Sequence, residues 1–310
     1  MKSELPKVLH EICGRPMLGY VMSACRLAGV DRLLAVVGHR KDDVIEAFRH
    51  DRDIEWIEQR EQKGTGHAVN CCVEALRGFD GQVLIIAGDM PLVRRETIAS
   101  LFEVLDGSDD AGTIATTVLD DPAGYGRIVR DEHDRLVGIV EHADCTAEQL
   151  KIHEVNPSYY CFRSEALFSA LERVVPQGPK GEYYLTQVVD ILRKDGRGVS
   201  AVVRAPAEDA MGINSRTDLA VVSRVMQDRL QQALLDDGVT IVDPDNTWIE
   251  VDATVGRDST IQPFSFVGVG ATIGESCRIG PFAHIEPGTE IPSGTNVTMN
   301  AGVGREAGGR

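Results

Sequence analysis

Residues 82–93 join an apolar run to a carboxylate at a point where the chain must turn, and they read QVLIIAGDMPLV. Residues 83–87 are apolar without a break, which predicts a strand covered on both faces, as in a parallel sheet. Gly88 ends that strand, so Asp89 is expected at its carboxyl end, where open α/β sheets hold their ligands. The alternative is an ordinary turn aspartate after a glycine.

Lys7 is a candidate for contacting a phosphate. It follows Pro6 in the segment LPKVLH, and the proline limits the space that the ammonium group can reach. A restrained lysine is suited to binding phosphate as a point charge, although an exposed surface lysine is the alternative.

A glycine-rich segment, residues 59–68, opens a predicted helix and reads QREQKGTGHA. Backbone N–H groups freed by Gly64 and Gly66 at a helix start can meet anions or the edges of a base. Such a segment is also typical of an ordinary turn when it is taken alone.

Four further polar or flexible positions lie at the ends of predicted elements. Gly126 lies in DPAGYGRI, where two glycines allow the backbone to come close to a ligand. Glu141 ends an apolar strand and Asn156 precedes a proline at the start of another, while Asn214 precedes a long helix. The alternatives are a plain loop, solvated strand ends and a helix N-cap.

The elements that must position these residues alternate between strand and helix. Helices are predicted over residues 16–28, 42–49, 68–76, 165–174, 184–192 and 215–235, and strands over residues 32–37, 54–57, 83–87, 111–118, 126–129, 136–140, 157–162 and 198–203. This alternation predicts βαβ units, a mostly parallel sheet and a Rossmann-like, doubly wound α/β domain.

The end of the chain is a repeat with a period of six residues. One aliphatic residue recurs in every hexad: Ile249, Val255, Ile261, Val267, Ile273, Ile279, Ile285, Ile291 and Val297. This period predicts a parallel β-helix in which each aliphatic points inward, and it resembles the left-handed hexapeptide-repeat helices, with about three coils. We therefore expect the α/β domain over residues 1–214, a connector helix over 215–240 and the β-helix over 241–303.

Composition restricts the partners and the location. The chain of 310 residues is 43% hydrophobic and 26% charged, with a formal net charge of −16, which argues against nucleic acid and anionic membranes as partners. Seven cysteines without a C-x-x-C pair indicate neither a disulfide framework nor a zinc site, and a reducing cytoplasm is the simplest interpretation. The sequence contains no run of apolar residues that predicts a membrane span and no pattern of a signal peptide.

These segments and several others occur along the chain in this order: LPKVLH, EQKGTGHA, AGDMPL, DPAGYGRI, GIVEH, EVN, GEYYLTQVV and GIN, then the long helix, GVTIVDPDNTWI and the hexads. This ordered set closely resembles the bacterial N-acetylglucosamine-1-phosphate uridyltransferases. In bacteria that activity commonly forms the N-terminal half of a bifunctional enzyme whose β-helical half is a glucosamine-1-phosphate acetyltransferase. The resemblance covers roughly residues 1–250 and implies transfer of a uridylyl group from UTP to N-acetylglucosamine 1-phosphate.

The resemblance also implies roles for single residues. Lys7 would contact the phosphates, and Asp89 would act with it in catalysis. The residues that would read the uracil ring are Gln59, Gly64 and Thr65. The residues that would hold Mg²⁺, the implied cofactor, are Asp89 and Asn214. The residues that would bind the amino sugar are Gly126, Glu141 and Asn156.

Two departures from the family's pattern matter. Met1 aligns with the methionine that closes a loop of the type L-A-A-G-x-G-T-R-M, so the loop, its arginine and the strand before it have no counterpart in the sequence. We expect weak binding of UTP and Mg²⁺ for that reason. In the repeat, His284 and Glu286 stand where the family usually has an Arg-x-Arg pair, and about three coils leave no room for the acetyl-CoA part, so acetyltransferase activity is not expected.

Two other functions fit the sequence: a nucleotidyltransferase for another sugar phosphate, and a non-catalytic, oligomerising or regulatory paralogue. The missing loop favours the second of these, whereas GTGHA and GIVEH favour the amino sugar and uridine. The small core of the β-helix predicts that several β-helices pack side by side, and the resemblance implies that they form a homotrimer.

Overall fold

The computed structural model describes residues 1–178, 180–298 and 302–303. The chain forms two compact units. The first consists of Met1–Leu9 and Met17–Gly212, and the second of His10–Pro16 and Ile213–Arg310. In the described part of the chain, no helix is both long and apolar enough to span a membrane.

The second unit contains the first two strands of the chain, β1 (Glu11–Ile12) and β2 (Arg15–Pro16). The strands of the first unit are β3 (Leu33–Val37), β4 (Ile54–Glu58), β5 (Gln82–Ile86), β6 (Gly112–Val118), β7 (Gly126–Arg130), β8 (Leu136–Val140), β9 (Glu154–Arg163) and β10 (Val199–Val203). Its α-helices are α1 (Met17–Leu27), α2 (Lys41–Ala47), α3 (Thr65–Asn70), α4 (Arg95–Asp106), α5 (Ser164–Leu171) and α6 (Gln187–Lys194). Short 3₁₀ turns lie at Lys7–Leu9, His142–Asp144, Gln149–Lys151 and Ala207–Ala210.

The main sheet has the order β10-β6-β9-β7-β8, and β5 pairs with β9. Side chains alternate along β9: Tyr160 and Phe162 pack with α5 and α6, while Tyr159 and Cys161 pack with α1 and α4. Helices thus cover both faces of the sheet, and the α/β class is confirmed.

Two details of the prediction are wrong. The sheet is mixed instead of mostly parallel, because β10 and β6 are parallel while the β5–β9, β6–β9, β7–β8 and β7–β9 ladders are antiparallel. The strand β5 is covered on both faces, with Val83 and Ile85 packed on one side and Leu84 and Ile86 on the other, but its ladder with β9 is antiparallel instead of parallel and all of its residues remain partly exposed. Among the described residues β5 has one strand partner, so apolar residues at its other edge stay accessible.

Helix α3 is shorter and earlier than the sequence predicts. It begins at Thr65, directly after Gly64, and ends at Asn70, whereas a helix was expected over residues 68–76. Residues 71–78 continue in turns. The shift has a physical cause: the N–H of Gly66 donates to the carbonyl of Tyr183 at 2.7 Å, which fixes the helix start inside the glycine-rich segment.

In the second unit, helix α7 (Arg216–Asp236) precedes the β-helix, and its N-terminus is closed by a capping box between Ser215 and Asp218. A 3₁₀ turn at Pro244–Asn246 lies between the two-residue strands β11 (Thr240–Ile241) and β12 (Trp248–Ile249). The other strands, also of two residues each, are β13 (Thr254–Val255), β14 (Thr260–Ile261), β15 (Phe266–Val267), β16 (Thr272–Ile273), β17 (Arg278–Ile279), β18 (His284–Ile285), β19 (Glu290–Ile291), β20 (Asn296–Val297) and β21 (Gly302–Val303).

These strands form three parallel sheets, β11-β14-β17-β20, β12-β15-β18-β21 and β13-β16-β19. Every predicted hexad aliphatic, from Ile249 to Val297, is buried in one cluster. The prediction of a short β-helix is confirmed. Each sheet stacks residues from successive coils, as in the pairing of Ile261 with Ile279.

Two buried glutamines attach α7 to the first coil. The Gln227 side-chain oxygen accepts from the Ile249 N–H at 3.0 Å, and its amide nitrogen donates to the Ile249 carbonyl. Gln231 donates to the carbonyl of Thr247 at 2.9 Å. The side chains thus complete backbone hydrogen bonds of the coil that would otherwise be buried without partners.

Candidate active site

An ion pair lies beyond the carboxyl end of β5. The Lys7 ammonium nitrogen is 2.5 Å from Oδ2 of Asp89, and both side chains are about one-third exposed. Lys7 begins the 3₁₀ turn Lys7–Leu9, and Asp89 lies in the turn that follows β5. The two residues that the resemblance assigns to catalysis are therefore neighbours, close to the surface of the first unit.

A single carboxylate is a sufficient protein ligand for Mg²⁺ only if the substrate provides oxygens. In the described part of the chain no group of three or more His, Cys, Asp and Glu side chains is arranged to hold a metal. Mg²⁺ is commonly bound by one or two carboxylates together with phosphate oxygens and water. Asp89 fits that mode, with Lys7 available to move from the carboxylate to a phosphate.

Strand β9 brings the end of β5 to the second group of predicted residues. Ile86, at the carboxyl end of β5, is opposite Tyr159, whereas Gly126, at the start of β7, is opposite Asn156. These two positions on β9 are three residues apart, about 10 Å along a strand. The loop that carries Asp89 and the residues predicted for the sugar therefore share one region of the sheet.

Glu141 lies next to Gly126 in this region. A Cβ built on Gly126 would be 3.7 Å from Oε2 of Glu141 and 3.2 Å from a methyl group of Ile139, so glycine leaves room beside the carboxylate. Asn156 is buried and donates to the hydroxyl of Tyr160 at 2.5 Å, while its side-chain oxygen accepts from the N–H of Ser158 at 3.0 Å. The structure thus groups Gly126, Glu141 and Asn156, and it holds the amide in one orientation.

The Glu141 carboxylate has a defined partner and an altered acidity. Thr186 donates its hydroxyl to Oε1 of Glu141 at 3.1 Å. Burial raises the pKa of Glu141 above its ordinary value of 4.5, the hydrogen bond from Thr186 opposes this shift, and the charge of Asp144 adds to it. An ionised Glu141 is therefore held at a cost to stability, as is common where a half-buried acid binds a ligand.

Glu141→Gln is expected to stabilise the protein at neutral pH. A raised pKa means that folding favours the protonated carboxyl, so ionisation costs stability as pH rises from 4.5 through the pKa in the folded protein. The gain should vanish below 4.5, where the carboxyl is protonated in both states. Thermal melts across pH would show this, with Glu132→Gln, a change at an exposed glutamate in the β7–β8 turn, as the control. A gain independent of pH would contradict the argument.

The glycine-rich segment packs against residues 183–185. Gln59, which follows β4, donates to the carbonyl of Gly64 at 3.1 Å and lies 3.0 Å from a ring nitrogen of His67. The Thr65 hydroxyl accepts from the N–H of Leu185 at 3.1 Å. The three residues predicted for the uracil ring, Gln59, Gly64 and Thr65, are therefore in one hydrogen-bonded loop.

A surface cavity of about 370 Å³ opens at the carboxyl ends of β3 and β4. Its lining residues are Gly38, His39, Glu58, Gln59, Arg60 and Gln62. Its position agrees with the rule that open α/β sheets bind ligands beyond the carboxyl ends of their strands. Gln59 joins this cavity to the glycine-rich loop.

Gly64→Ala is expected to disturb the loop. Gly64 has φ of 102°, and an added Cβ would lie 2.7 Å from the carbonyl oxygen of Tyr183. We expect a loss of about 1–3 kcal/mol in the free energy of unfolding and weaker nucleotide binding. The matched control is Gly78→Ala, because Gly78 also has a positive φ, 76°, but meets no atom within 4 Å. Equal losses in the two variants would show that the contact with Tyr183 has no role.

Asn214 belongs to the second unit, where its backbone N–H donates to Oδ2 of Asp218 at 2.9 Å. The N-cap of α7 is Ser215 instead, so the alternative explanation of Asn214 as the capping residue is wrong. A joint metal site of Asp89 and Asn214 stays a prediction.

Sequence reasoning missed two residues that support this site. Thr186, which contacts Glu141, lies in GEYYLTQVV, a motif that carried the resemblance without any residue of it being assigned a role. Arg127 is 2% exposed and donates to the carbonyl of Tyr125, the peptide that also contains the Gly126 N–H. The alternation of β7 gives no signal for a buried arginine, because a charged residue is normally placed on the solvent face.

Comparisons with known proteins identify the family of the chain. A family model described as the MobA-like NTP transferase domain matches residues 1–240. The bifunctional protein GlmU of Clostridium tetani (strain Massachusetts / E88) is 42% identical over 263 residues, which are 85% of this chain and 57% of that protein. Proteins of the same name from Clostridium perfringens (strain SM101 / Type A) and Clostridium botulinum (strain Eklund 17B / Type B) are 41% and 39% identical over the same shares.

The chain spans 57% of the length of these curated relatives, so their whole activity does not transfer with the likeness. The family model covers more than half of the chain, and it covers the sheet, the glycine-rich loop and the Lys7–Asp89 pair. The chain belongs to the family of MobA-like NTP transferase domains.

Proposed function

We propose that this nucleotidyltransferase moves a uridylyl group from UTP to N-acetylglucosamine 1-phosphate, giving UDP-N-acetylglucosamine and pyrophosphate for the synthesis of cell-envelope precursors in the cytoplasm. The observation that carries the proposal is the junction on β9, where the Asp89 loop approaches the group of Gly126, Glu141 and Asn156. A phosphate site beside a carboxylate and an oriented amide suits a sugar phosphate with hydroxyl and acetamido groups.

In the proposed reaction, an oxygen of the sugar 1-phosphate attacks the α-phosphorus of UTP. A new P–O bond forms to the α-phosphorus, and the bond from that phosphorus to the pyrophosphate oxygen breaks. The attacking oxygen is already ionised, so no side chain has to remove a proton. Catalysis of this kind consists mainly of positioning and neutralisation of charge.

The chain's own residues supply those two functions. Lys7 would leave the Asp89 carboxylate and contact the phosphates, and Asp89 would then be a ligand of Mg²⁺. Mg²⁺, when bound, neutralises charge on the phosphate oxygens. Gln59 and the Gly64–Thr65 backbone would contact the base, while Glu141, held by Thr186, would accept hydrogen bonds from the sugar hydroxyls.

The proposal is tested by measuring release of pyrophosphate over a panel of nucleotides and sugar phosphates. We expect the highest kcat/KM for UTP with N-acetylglucosamine 1-phosphate, and a rise in KM for the sugar phosphate alone in Glu141→Ala. A preference for another nucleotide or sugar phosphate would select the first alternative function, and an absence of turnover with tight binding of UTP would favour a regulatory role.

We also propose that the protein is a homotrimer assembled through the β-helix. Each coil buries only one aliphatic side chain per hexad, so a short β-helix has little core for its surface. Packing of several such helices side by side would add apolar burial. Light scattering at micromolar concentration measures the assembly directly.

A further inference from the structure

The turns of the β-helix share one backbone conformation. Their second residue has a positive φ, between 55° and 74°, in every hexad from residue 252 to residue 294. The residues at these positions are Asp252, Asp258, Phe264, Gly270, Ser276, Phe282, Gly288 and Gly294. Glycine, aspartate and serine are small, and glycine and aspartate are common in this left-handed region, whereas a bulky side chain there is an outlier.

Phe264 and Phe282 are those outliers, and they occupy the same corner in successive coils. Their rings stack with centroids 5.0 Å apart and planes inclined by 9°. A backbone hydrogen bond joins the two turns, because the N–H of Phe282 donates to the carbonyl of Pro263 at 3.2 Å. Stacking on each other does not bury them: Phe264 is 54% exposed and Phe282 is 50% exposed.

A second pair of rings lies beside this corner. Phe266 on β15 is opposite His284 on β18, and their rings stack with centroids 4.8 Å apart and planes inclined by 7°. We call the four rings of Phe264, Phe282, Phe266 and His284 the aromatic stripe. It runs along the stacking direction of the coils.

The stability of the fold does not explain why Phe264 and Phe282 combine a positive φ with an exposed ring. A phenylalanine with positive φ destabilises the turn, and an exposed ring contributes little burial in return. Smaller residues fulfil the same turn elsewhere in this β-helix. Local rules are broken in this way mainly at sites of binding.

We propose that the aromatic stripe is the central contact between copies of this chain. The turns 262–265 and 280–283 contain no charged residue, in a chain whose formal net charge is −16. Two like-charged copies approach with least repulsion at such a surface. Two rings stacked along the coils also present the same spacing on every copy, so stripes can meet in register.

The chemistry of the corner favours a protein copy over a small polar ligand. A sugar or nucleotide site needs several directed hydrogen-bonding groups beside its apolar surface. In the two turns, Phe264 and Phe282 are exposed next to the half-buried Pro263 and Pro281, Ser265 is buried, and Gln262 alone offers a partly exposed hydrogen-bonding side chain. Clusters of aromatic side chains at the centre of an interface, surrounded by polar residues, are the usual hot spots of protein association.

This inference rests on the self-association proposed above, and one pair of variants separates the two. The test variant is Phe264→Asn with Phe282→Asn, because asparagine tolerates positive φ and removes both rings without adding charge. The matched control is Ser276→Asn with Gly294→Asn, which places the same side chains at another corner of the same coils.

Sedimentation velocity on the full chain measures the outcome. We expect assembly of the wild type and of the control at micromolar concentration, and at least about 30-fold weaker assembly of the test variant, the loss typical of one buried aromatic hot spot. Assembly of the test variant equal to that of the wild type would overturn the role of the stripe and leave the homotrimer standing. A wild-type monomer would overturn both, and equal dissociation of the control would also refute the stripe.

A second experiment does not require the double variant Phe264→Asn, Phe282→Asn to fold. Photo-cross-linking of Phe282→p-benzoylphenylalanine in the full chain should give a product of twice the chain mass, and the control position, Ser276→p-benzoylphenylalanine, should give much less. Equal yields at the two positions, or no product of double mass, would overturn the proposal.

Discussion

Asp89→Asn is expected to lower turnover by about 10³-fold, the range found when one group that stabilises developing charge is removed. The substitution keeps the volume of the side chain and removes its negative charge, so the expected ligand of Mg²⁺ becomes a neutral and weaker one while the packing around it stays. Asp89 lies in a turn, and its side chain is 28% exposed. Initial rates with UTP and the sugar phosphate, together with a thermal melt, measure both effects.

The control for this change is Asp80→Asn. Asp80 is an exposed carboxylate two residues before the amino end of β5, whereas Asp89 follows the carboxyl end, so the pair compares the two ends of one strand. Turnover should be unchanged in Asp80→Asn. Activity of Asp89→Asn close to wild type at ordinary magnesium concentration would show that Asp89 is a turn residue paired with Lys7 and nothing more.

A strand and glycine-rich loop joined in front of Met1 should raise both stability and affinity for UTP. Strands β3 and β5 send side chains such as Leu33, Leu84 and Ile86 to the same cluster under α1, but no ladder joins them. Among the described residues, β3 pairs with β4 alone and β5 with β9 alone. We expect an added apolar strand to pair with both free edges and to cover the partly exposed residues of β3 and β5.

The size of this effect follows from the burial and the loop. A five-residue apolar strand covered on both faces adds several kcal/mol at about 25 cal/mol per Å² of buried apolar area, which would appear as a large rise in melting temperature. Backbone N–H groups of the loop should strengthen UTP binding by roughly 100-fold, or about 2.7 kcal/mol. Calorimetry with UTP and melts of both forms provide the measurements.

An extension with proline at alternate strand positions is the control, because it cannot donate to the ladder. It should leave stability and affinity unchanged. Tight and equal UTP binding with and without the extension would contradict the expectation, and it would mean that Lys7 and the loop of Gln59, Gly64 and Thr65 are sufficient for the nucleotide.

The sequence predicts the repeat better than the sheet. The hexad period sets which residue of each hexad points inward, since each strand of the β-helix has two residues and one of them is aliphatic. Nothing in such a short period depends on distant parts of the chain. The buried run of Ile261, Ile279 and Val297 could therefore be read directly from spacing.

The antiparallel direction of β5 relative to β9 could not be predicted from the spacing of residues. An apolar run indicates burial, but partners are chosen by long-range pairing, and β9 meets β5 with one part of its length and β7 with another. The bend that allows this contains Ser158, with φ of 65°. The same junction brings Asp89 toward Asn156, so the convergence of the candidate site was also invisible to local patterns.

Side-chain contacts within the site were also predictable only where the two residues are close in sequence. Gln59 and Thr65 lie in one loop, and their position near Gly64 follows from sequence spacing alone. The contact of Thr186 with Glu141 joins residues 45 positions apart, and the buried Arg127 contradicts the usual placement of charge. Both are consequences of tertiary packing.

The hairpin of β1 and β2 gives the order of synthesis a role in folding. Its residues are made early, yet the N–H of Val251 donates to the carbonyl of Cys13, and Arg15 pairs with Asp252, which is 237 positions later. At about 5–20 residues per second, the ribosome needs roughly 10–50 s to reach that partner. The strands and helices of the first unit are completed during this delay, so the hairpin must wait outside its final place, and slower translation of the intervening segment should lengthen its exposure to chaperones and proteases.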